Sequence, residues 1–290
     1  ESAVMKGHQK SSIGNDVILH YIRQDYPEPK TFADFVYLSQ VMQGQGIALG
    51  LRAHRAAAPY CMGTLYWQLN DAWPAVSWSS IDYYGAWKAL HYQTKRAFEP
   101  IILVPDTAKG KVLIAHDPLP NSVNAVLEVS IYDFSGNLHR EISHQPVCLD
   151  YALSVETLPM PDCVLGLDQE TARRSYIHYR LIEQATGREL AFFVDYAAKV
   201  KDLDLMPAAS YTLCHWKSDE GYTVELYSGI LLKDVYIDTG SPDWHVSDNF
   251  FDALPGQTYR LQITPRAGLS KKPAELKGLR LRHMGSVLPH

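Results

Sequence analysis

Apolar residues recur with a helical period near the start of the chain. Val17, Ile18, Tyr21 and Ile22 fall on one face of a predicted helix within residues 15–30, and two prolines near its end stop it. A second helical pattern begins directly afterwards. Its apolar positions near a period of 3.6 are Phe32, Phe35, Val36, Val41 and Met42.

Thr31 and Asp34 predict the start of this second helix. The pair has the spacing of a capping box, with Asp in place of the usual Glu, so each residue is expected to satisfy a backbone N–H of the other.

The run "CMGTLYWQL" (61–69) has a different pattern. It is short, mostly apolar and preceded by Pro59, which is typical of a strand buried on both faces of a parallel sheet. We therefore expect a strand over 61–67 with Trp67 at its C-terminal end. A loop to about Gly85 precedes another predicted helix, whose apolar side carries Trp87, Leu90, His91, Thr94 and Phe98. Helix, buried strand, loop and helix are part of a β/α repeat.

After Pro100 the pattern becomes that of short strands separated by turns. "DFSGN" (133–137) and "QATGRE" (184–189) are predicted hairpin turns, and "KDLDLMP" (201–207) is a predicted linker. The β-prone runs include "KVLIAHD", "NAVLEVSIYDFSGN", "YIHYRLIEQATGREL", "AFFVDYAAKV", "LLKDVYIDT" and "QTYRLQITP". We predict two immunoglobulin-like β-sandwich domains, 101–205 and 206–290, whose strands share no sheet.

The stretch from Gly63 to Tyr92 contains four of the six tryptophans, interleaved with polar residues. In a β/α barrel, ligands bind at the C-terminal ends of the strands. Trp67 and Trp73 would then stack on a sugar ring, and Asn70 and Asp71 would bond its hydroxyls. Trp78 and Trp87 are expected in the core.

The same stretch carries a specific resemblance. "GTLYWQLNDAWPAVSWSSIDYYGAWKALHY", followed by "KRAFEP", resembles the last barrel strand and following helix of glycoside hydrolase family 2 β-mannosidases. "DYPEPKTFADFVYLSQVMQGQGI" (25–47) and "SDNFFDALPGQ" (247–257) resemble further segments of that family. The resemblance covers nearly the whole chain and is weakest between 105 and 200. It implies that 1–100 is the C-terminal part of a (β/α)8 TIM barrel, followed by the two sandwich domains, a multidomain α/β plus all-β architecture.

The resemblance also implies a retaining, exo-acting hydrolysis of terminal β-D-mannosides. This reaction needs an acid/base and a nucleophilic carboxyl about 5–5.5 Å apart. The family's Asn-Glu and Ser-Glu-aromatic-Gly patterns for these two groups are not found here, and we do not accept Glu1 as the nucleophile because no strand precedes it. The sequence therefore predicts no catalytic residue in this chain. It predicts substrate-binding roles for Trp67, Asn70, Asp71 and Trp73, and an inactive chain whose catalytic pair lies upstream.

The first ten residues contain neither an initiator Met nor a signal peptide, which favours a piece of a longer or processed protein. The expected partners are a β-mannoside substrate and the upstream barrel and N-terminal domains. The compartment is not determined by the sequence, although a glycan-degrading role favours the periplasm or secretion.

Composition narrows the remaining possibilities. With 46% hydrophobic and 20% charged residues the 290-residue chain has an ordinary globular composition, and a net charge of −5 gives no reason to expect nucleic acid or an anionic membrane as a partner. The four cysteines are widely spaced and are expected to be buried free thiols. No spaced ligand set or cofactor motif is present, so neither a metal nor a cofactor is expected.

Two alternatives stay open. One is a sibling family 2 specificity: a galactosidase, a glucuronidase or an exo-glucosaminidase. The other is a non-catalytic carbohydrate-binding or scaffolding module, which exposed Trp216 and Trp244 on one sandwich face would favour.

Overall fold

The computed structural model describes residues 2–207, 211–268 and 275–288, apart from the side chains of residues 141 and 142. Glu1 and parts of the predicted domain 206–290 lie outside the described residues. The helices are α1 (Ala3–Gln9), α2 (Gly14–Asp25), α3 (Phe32–Arg55), α4 (Ala89–Ala97), α5 (Asp162–Leu165) and α6 (Gln169–Arg174). In the described part of the chain, none of them has the length and hydrophobicity needed to cross a membrane.

The two predicted N-terminal helices form. The α2 helix ends at Asp25, before the prolines. The capping box is confirmed: the Thr31 backbone N–H donates to Asp34 Oδ2 (2.9 Å), and the Asp34 N–H donates to Thr31 Oγ1 (3.1 Å).

Residues 101–195 form seven strands in two antiparallel sheets. The strands are β1 (Ile101–Asp106), β2 (Lys111–His116), β3 (Val123–Asp133), β4 (Leu138–Leu149), β5 (Ser154–Pro159), β6 (Ser175–Glu183) and β7 (Glu189–Asp195). The sheet orders are β1-β2-β5 and β4-β3-β6-β7. Alternate residues of both sheets enter one core, which includes Leu103, Ile114, Leu127 and Tyr179. The two predicted hairpin turns are confirmed, with Gly136 and Gly187 at positive φ.

Seven further strands follow. They are β8 (Tyr211–Ser218), β9 (Gly221–Ser228), β10 (Leu232–Asp238), β11 (Trp244–Val246), β12 (Phe251–Ala253), β13 (Thr258–Pro265) and β14 (Arg280–Arg282). They form the sheets β11-β13-β9-β8 and β12-β10-β14. Their own core includes Val224, Leu226, Val235 and Ile263. Among the described residues, no strand of 211–282 shares a sheet with a strand of 101–195.

The chain forms two compact units. One comprises Glu1–Ile47, Tyr66–Thr94 and Leu205–His290, and the other comprises Ala48–Leu65 and Lys95–Asp204. One boundary between the units therefore falls inside the predicted linker 201–207. The division into 1–100, 101–205 and 206–290 stays a prediction.

Within the first unit, polar side chains attach the helices to the strands. Tyr37 Oη of α3 donates to the Asp234 carbonyl (2.6 Å), and Tyr92 Oη of α4 donates to the Val246 carbonyl (2.9 Å). Gln93 Nε2 donates to the Phe250 carbonyl (3.0 Å). These bonds hold α3 against β10, and they hold α4 against β11 and the segment before β12.

The prediction of a buried strand over 61–67 is wrong for this structure. Residues 61–66 have no regular secondary structure, and Leu65 is 99% exposed and Trp67 74% exposed. A strand requires a hydrogen-bonded neighbour. No strand in the described ranges pairs with 61–67, so the apolar pattern has nothing to be buried against.

Candidate functional site

The aromatic stretch folds back on itself after Leu69. The backbone N–H of Ile81 donates to the Leu69 carbonyl (2.8 Å), and Asn70 and Ile81 form an isolated parallel bridge. The Lys88 N–H then donates to the Ser80 carbonyl (2.9 Å). These bonds bring the segment after Trp67 next to the start of α4.

Trp67 and Trp73 are both accessible to a ligand. Trp67 is 74% exposed and Trp73 is 49% exposed. The Trp73 indole is fixed because its Nε1 donates to the His8 carbonyl (3.0 Å), while His8 Nδ1 lies 2.7 Å from the Pro74 carbonyl. The Trp73 ring is thus held by helix α1, whereas its remaining surface faces solvent.

Asp71 is buried and paired with a cation. Its Oδ2 accepts hydrogen bonds from Ser79 Oγ (2.5 Å) and Lys88 Nζ (3.1 Å). Lys88 Nζ also contacts Ser79 Oγ (2.7 Å) and Ser77 Oγ (3.3 Å). The side chains of Asp71 and Lys88 are 5% and 13% exposed, respectively.

The charge state of Asp71 follows from these contacts. Burial raises the pKa of the Asp71 carboxyl, but hydrogen bonds from Ser77, Ser79 and Lys88 outweigh burial, so the pKa lies below its ordinary value. Asp71 is therefore ionised at neutral pH and held by Lys88. It can orient its neighbours, and a general acid at this position would have the wrong protonation state.

Asn70 is exposed, and its Nδ2 donates to the Asp71 carbonyl (3.3 Å). The four predicted site residues therefore occupy one short loop with different environments. Trp67, Asn70 and Trp73 present surface to solvent, whereas Asp71 does not.

A second polar chain lies beneath this loop, and sequence reasoning missed it. Tyr66 Oη donates to Ser80 Oγ (2.9 Å), and Ser80 Oγ lies 3.0 Å from His91 Nδ1. Burial and the neighbouring His245 lower the pKa of His91, which favours a neutral ring at pH 7. In the sequence, Ser80, Trp87 and His91 lie close together around the start of a predicted helix. Their spacing does not match a motif that would pair His91 with a particular residue.

The two remaining tryptophans differ from each other. Trp87 is partly buried and packs against His91 (ring centroids 4.1 Å apart), His245 (4.4 Å) and Tyr92 (5.3 Å). Trp78 is 70% exposed, so its predicted core position is wrong for this structure. Like that of Leu65, most of the Trp78 side chain faces solvent.

The cysteines are the next residues whose environment the sequence analysis predicted. Cys61, Cys148, Cys163 and Cys214 are free thiols as predicted, but Cys148 and Cys214 are exposed, so their predicted burial is wrong. Within 2–207, 211–268 and 275–288, no group of three His, Cys, Asp or Glu residues has metal-binding geometry.

Comparison with known proteins finds similarity to beta-mannosidases. Residues 209–287 match the Ig_mannosidase family, an Ig-fold domain. The chain is 29% identical over 257 residues to beta-mannosidase of Bos taurus, an alignment that covers 82% of this chain and 29% of that protein. A crystal structure of beta-D-mannosidase from Dictyoglomus thermophilum has a TM-score of 0.75 and 25% identity, covering 96% of this chain and 33% of that one.

A more distant structure shows the fold alone. An exo-chitosanase from Amycolatopsis orientalis has a TM-score of 0.72 at 17% identity, over 97% of this chain and 37% of the other. The chain thus spans about a third of the length of the relatives that it matches. The resemblance predicted from the aromatic stretch is confirmed: in sequence and in fold, this chain is similar to the β-mannosidases.

Proposed function

We propose that this chain is the C-terminal portion of a retaining, exo-acting β-mannosidase that hydrolyses terminal β-D-mannosides. Residues 1–100 are then the C-terminal part of the catalytic barrel, and 101–205 and 206–290 are accessory β-sandwich domains. The similarity to beta-mannosidases over 82% of the chain supports the family-level part of the proposal.

One observation carries the barrel assignment. Residues 60–69 are largely apolar and form no helix or strand, and three of their large side chains are highly exposed: Tyr60 97%, Leu65 99% and Trp67 74%. Monomeric soluble proteins rarely leave such a contiguous apolar stretch in water. A barrel strand whose neighbouring strands belong to another part of the protein has this pattern and this exposure.

The four site residues are proposed to have different roles. Trp67 and Trp73 present flat rings that can stack on the terminal sugar, and Asn70 can bond its hydroxyls. Asp71, held by Lys88 and Ser79, positions the loop between the two indoles. The two catalytic carboxyls lie upstream of this chain, since retention requires a pair about 5–5.5 Å apart and Asp71 is committed to an ion pair.

The first test is an assay of the purified 290-residue chain on a chromogenic β-mannoside, alone and mixed with a fragment that carries the upstream barrel. We expect no turnover by the chain alone and turnover by the mixture. Clear turnover by the chain alone would show that a catalytic carboxyl lies within it, and Glu1 would then be substituted first.

The second test compares two tryptophans in the full-length enzyme. Trp67→Ala is expected to lower kcat/KM on the order of 10²-fold, because the sugar loses an orienting wall. Trp87→Ala removes a partly buried ring packed against His91 and His245, so it is expected to lower stability by about 2–4 kcal/mol and to affect turnover less. Equal kinetic losses with unchanged melting temperatures would contradict the assignment.

The alternatives predict other outcomes. A sibling glycosidase would hydrolyse galactosides, glucuronides or glucosaminides in preference to mannosides in the same complementation assay. The sandwich face expected of a binding module is not formed by Trp216 and Trp244. Trp216 lies on the outward face of β8 and is 43% exposed, whereas Trp244 packs against the core and Tyr222 (ring centroids 5.4 Å apart).

A further inference from the structure

A cleft of about 320 Å³ lies between the loop before α4 and the strands β10, β11 and β14. This volume is at the lower end of the range of roughly 300–1,000 Å³ that small-molecule sites occupy. None of the four residues of the proposed substrate wall lines it. The side chains that matter for its chemistry are Asp82, Trp87, Tyr236, Asp238, Trp244, Arg266 and Arg280.

The charged groups of the cleft are balanced. Arg280 Nη2 donates to Asp238 Oδ2 (2.7 Å), and the other oxygen of Asp238 accepts from the Gly240 N–H (2.8 Å). Asp82, which also lines the cleft, accepts a hydrogen bond from the Ala86 N–H through Oδ1 (2.8 Å). Together with Arg266, the lining therefore contains two carboxylates and two guanidinium groups.

Arg266 carries a buried polar atom that no described residue satisfies. Its Nε is buried, and no hydrogen-bond partner for it occurs among the described residues. Its guanidinium lies against Gly85, where the Cβ of any other residue would overlap Arg266 Nη1. Gly85 also has φ +85°, a conformation that side chains with a Cβ disfavour. The glycine in this loop thus leaves space for the Arg266 guanidinium at the edge of the cleft.

The aromatic part of the lining is rigid. Trp87 is packed against His245 and His91, and Trp244 meets Tyr222 edge to face. Rings that are already fixed lose little conformational freedom when a ligand stacks on them.

These features select a class of ligand. The carboxylates of Asp82 and Asp238 would repel an anion. An apolar molecule would cover the four charged groups without offering them hydrogen bonds. A neutral ring with several hydroxyls can donate to carboxylates, accept from guanidinium groups and stack its apolar face on an indole. We propose that this cleft binds one or two pyranose rings of a neutral glycan, at a site additional to the surface of Trp67, Asn70 and Trp73.

The proposal is tested on the whole 290-residue chain by NMR of the indole N–H groups, assigned by single Trp→Phe substitutions. β-1,4-Mannobiose is the saccharide probe, and inorganic phosphate is the anionic probe. Mannobiose is expected to shift the Trp87 and Trp244 signals saturably. Arg266→Met is expected to weaken this binding roughly tenfold or more, since hydrogen bonds to charged groups are among the strong ones. The matched control is Arg260→Met, which removes an exposed guanidinium paired with Glu225 on the outward face of β13.

Asp82→Asn is the second variant, because it keeps an oxygen for the Ala86 N–H and removes the charge; it is also expected to weaken mannobiose binding. Shifts confined to Trp67 and Trp73 would overturn the cleft assignment and leave the proposed function standing. Absence of saturable shifts at Trp87 and Trp244, or equal binding by wild type and both variants, would also overturn it. Phosphate-dependent shifts that require Arg266, without a mannobiose response, would replace the saccharide with an anion.

Discussion

Asp71 illustrates how a residue predicted to touch substrate can have a different structural duty. Its carboxylate forms a buried ion pair with Lys88 that two serines complete. A buried charge that loses its partner is costly, whereas exposed pairs contribute little. The loop that carries Trp67 and Trp73 therefore depends on this pair for its conformation.

We expect Asp71→Asn to destabilise the first unit by about 3 kcal/mol, because the Lys88 ammonium would stay buried without a counter-charge. Urea unfolding at pH 7 measures this loss. The control is Glu170→Gln, which removes an exposed partner of Arg174 and should cost at most about 0.5 kcal/mol. Losses of equal size for the two variants would contradict a special role for the buried pair.

The same pair gives a pH dependence with a defined sign. The folded pKa of Asp71 is below its ordinary value, so its stabilisation is complete above the unfolded pKa of about 3.9 and is lost as the pH falls towards the folded value. The stability difference between wild type and Asp71→Asn should therefore be constant between pH 7 and about pH 5 and should shrink below about pH 4.

At the scale of elements, local signals in the sequence were sufficient where the partners are local. The capping box of Thr31 and Asp34 and the glycine turns at Gly136 and Gly187 involve residues a few positions apart, and they form as predicted. The strand over 61–67 needs neighbours distant in sequence, and it does not form.

Helix α3 shows the same limit. The apolar face predicted for it includes Phe32 and Val36, which are 64% and 37% exposed. Val41 is buried as predicted, but the buried face also carries Tyr37 and Leu38, which the prediction did not include, and Tyr37 is anchored to β10 through the Asp234 carbonyl. Periodicity identified the helix, but the choice of face depends on tertiary partners that the pattern does not contain.

The candidate site likewise has a part that the sequence could predict and a part that it could not. Trp67 and Trp73 could be predicted from the sequence because tryptophans interleaved with polar residues are visible in the sequence itself. The link from Tyr66 through Ser80 to His91, and the pairing of Asp71 with Lys88, could not, because each joins residues about ten or more positions apart in an irregular loop.

A glycine at the start of β9 gives the element-scale prediction. A Cβ at Gly221 would overlap the backbone oxygen of Ile263, and its φ of +155° is unfavourable for other residues. Gly221→Ala is therefore expected to cost about 3 kcal/mol or more, from forced backbone movement and strain together. Gly256→Ala is the control, since Gly256 has φ +74° with open space around it and should cost about 1 kcal/mol of strain alone. Equal shifts in thermal unfolding for the two variants would show that the overlap at Ile263 is relieved without cost.

At the scale of the whole chain, two cores rather than one hold the β-structure. The core of strands β1–β7 and the core of strands β8–β14 have no residue in common. Each is built from two sheets that bury alternate residues, so each can close without strands from the other. This arrangement favours separate cooperative units within one chain.

The final prediction tests that separation with two matched leucines. Leu127 on β3 and Leu226 on β9 are both fully buried, one in each core. Replacing either by Ala should cost about 2–5 kcal/mol in its own core, because a cavity is left and transfer free energy is lost.

Scanning calorimetry of the 290-residue chain should show two transitions; Leu127→Ala should lower only one Tm and Leu226→Ala only the other. If instead a single transition moved by the same amount in both variants, the cores would be one cooperative unit, and the predicted division between domains 101–205 and 206–290 would have to be abandoned. Asp71 and Gly221 both lie in the first unit. Because two-state analysis applies to single cooperative units, this experiment also decides whether the free energies predicted for Asp71→Asn and Gly221→Ala are read from a transition of that unit or from a single transition of the whole chain.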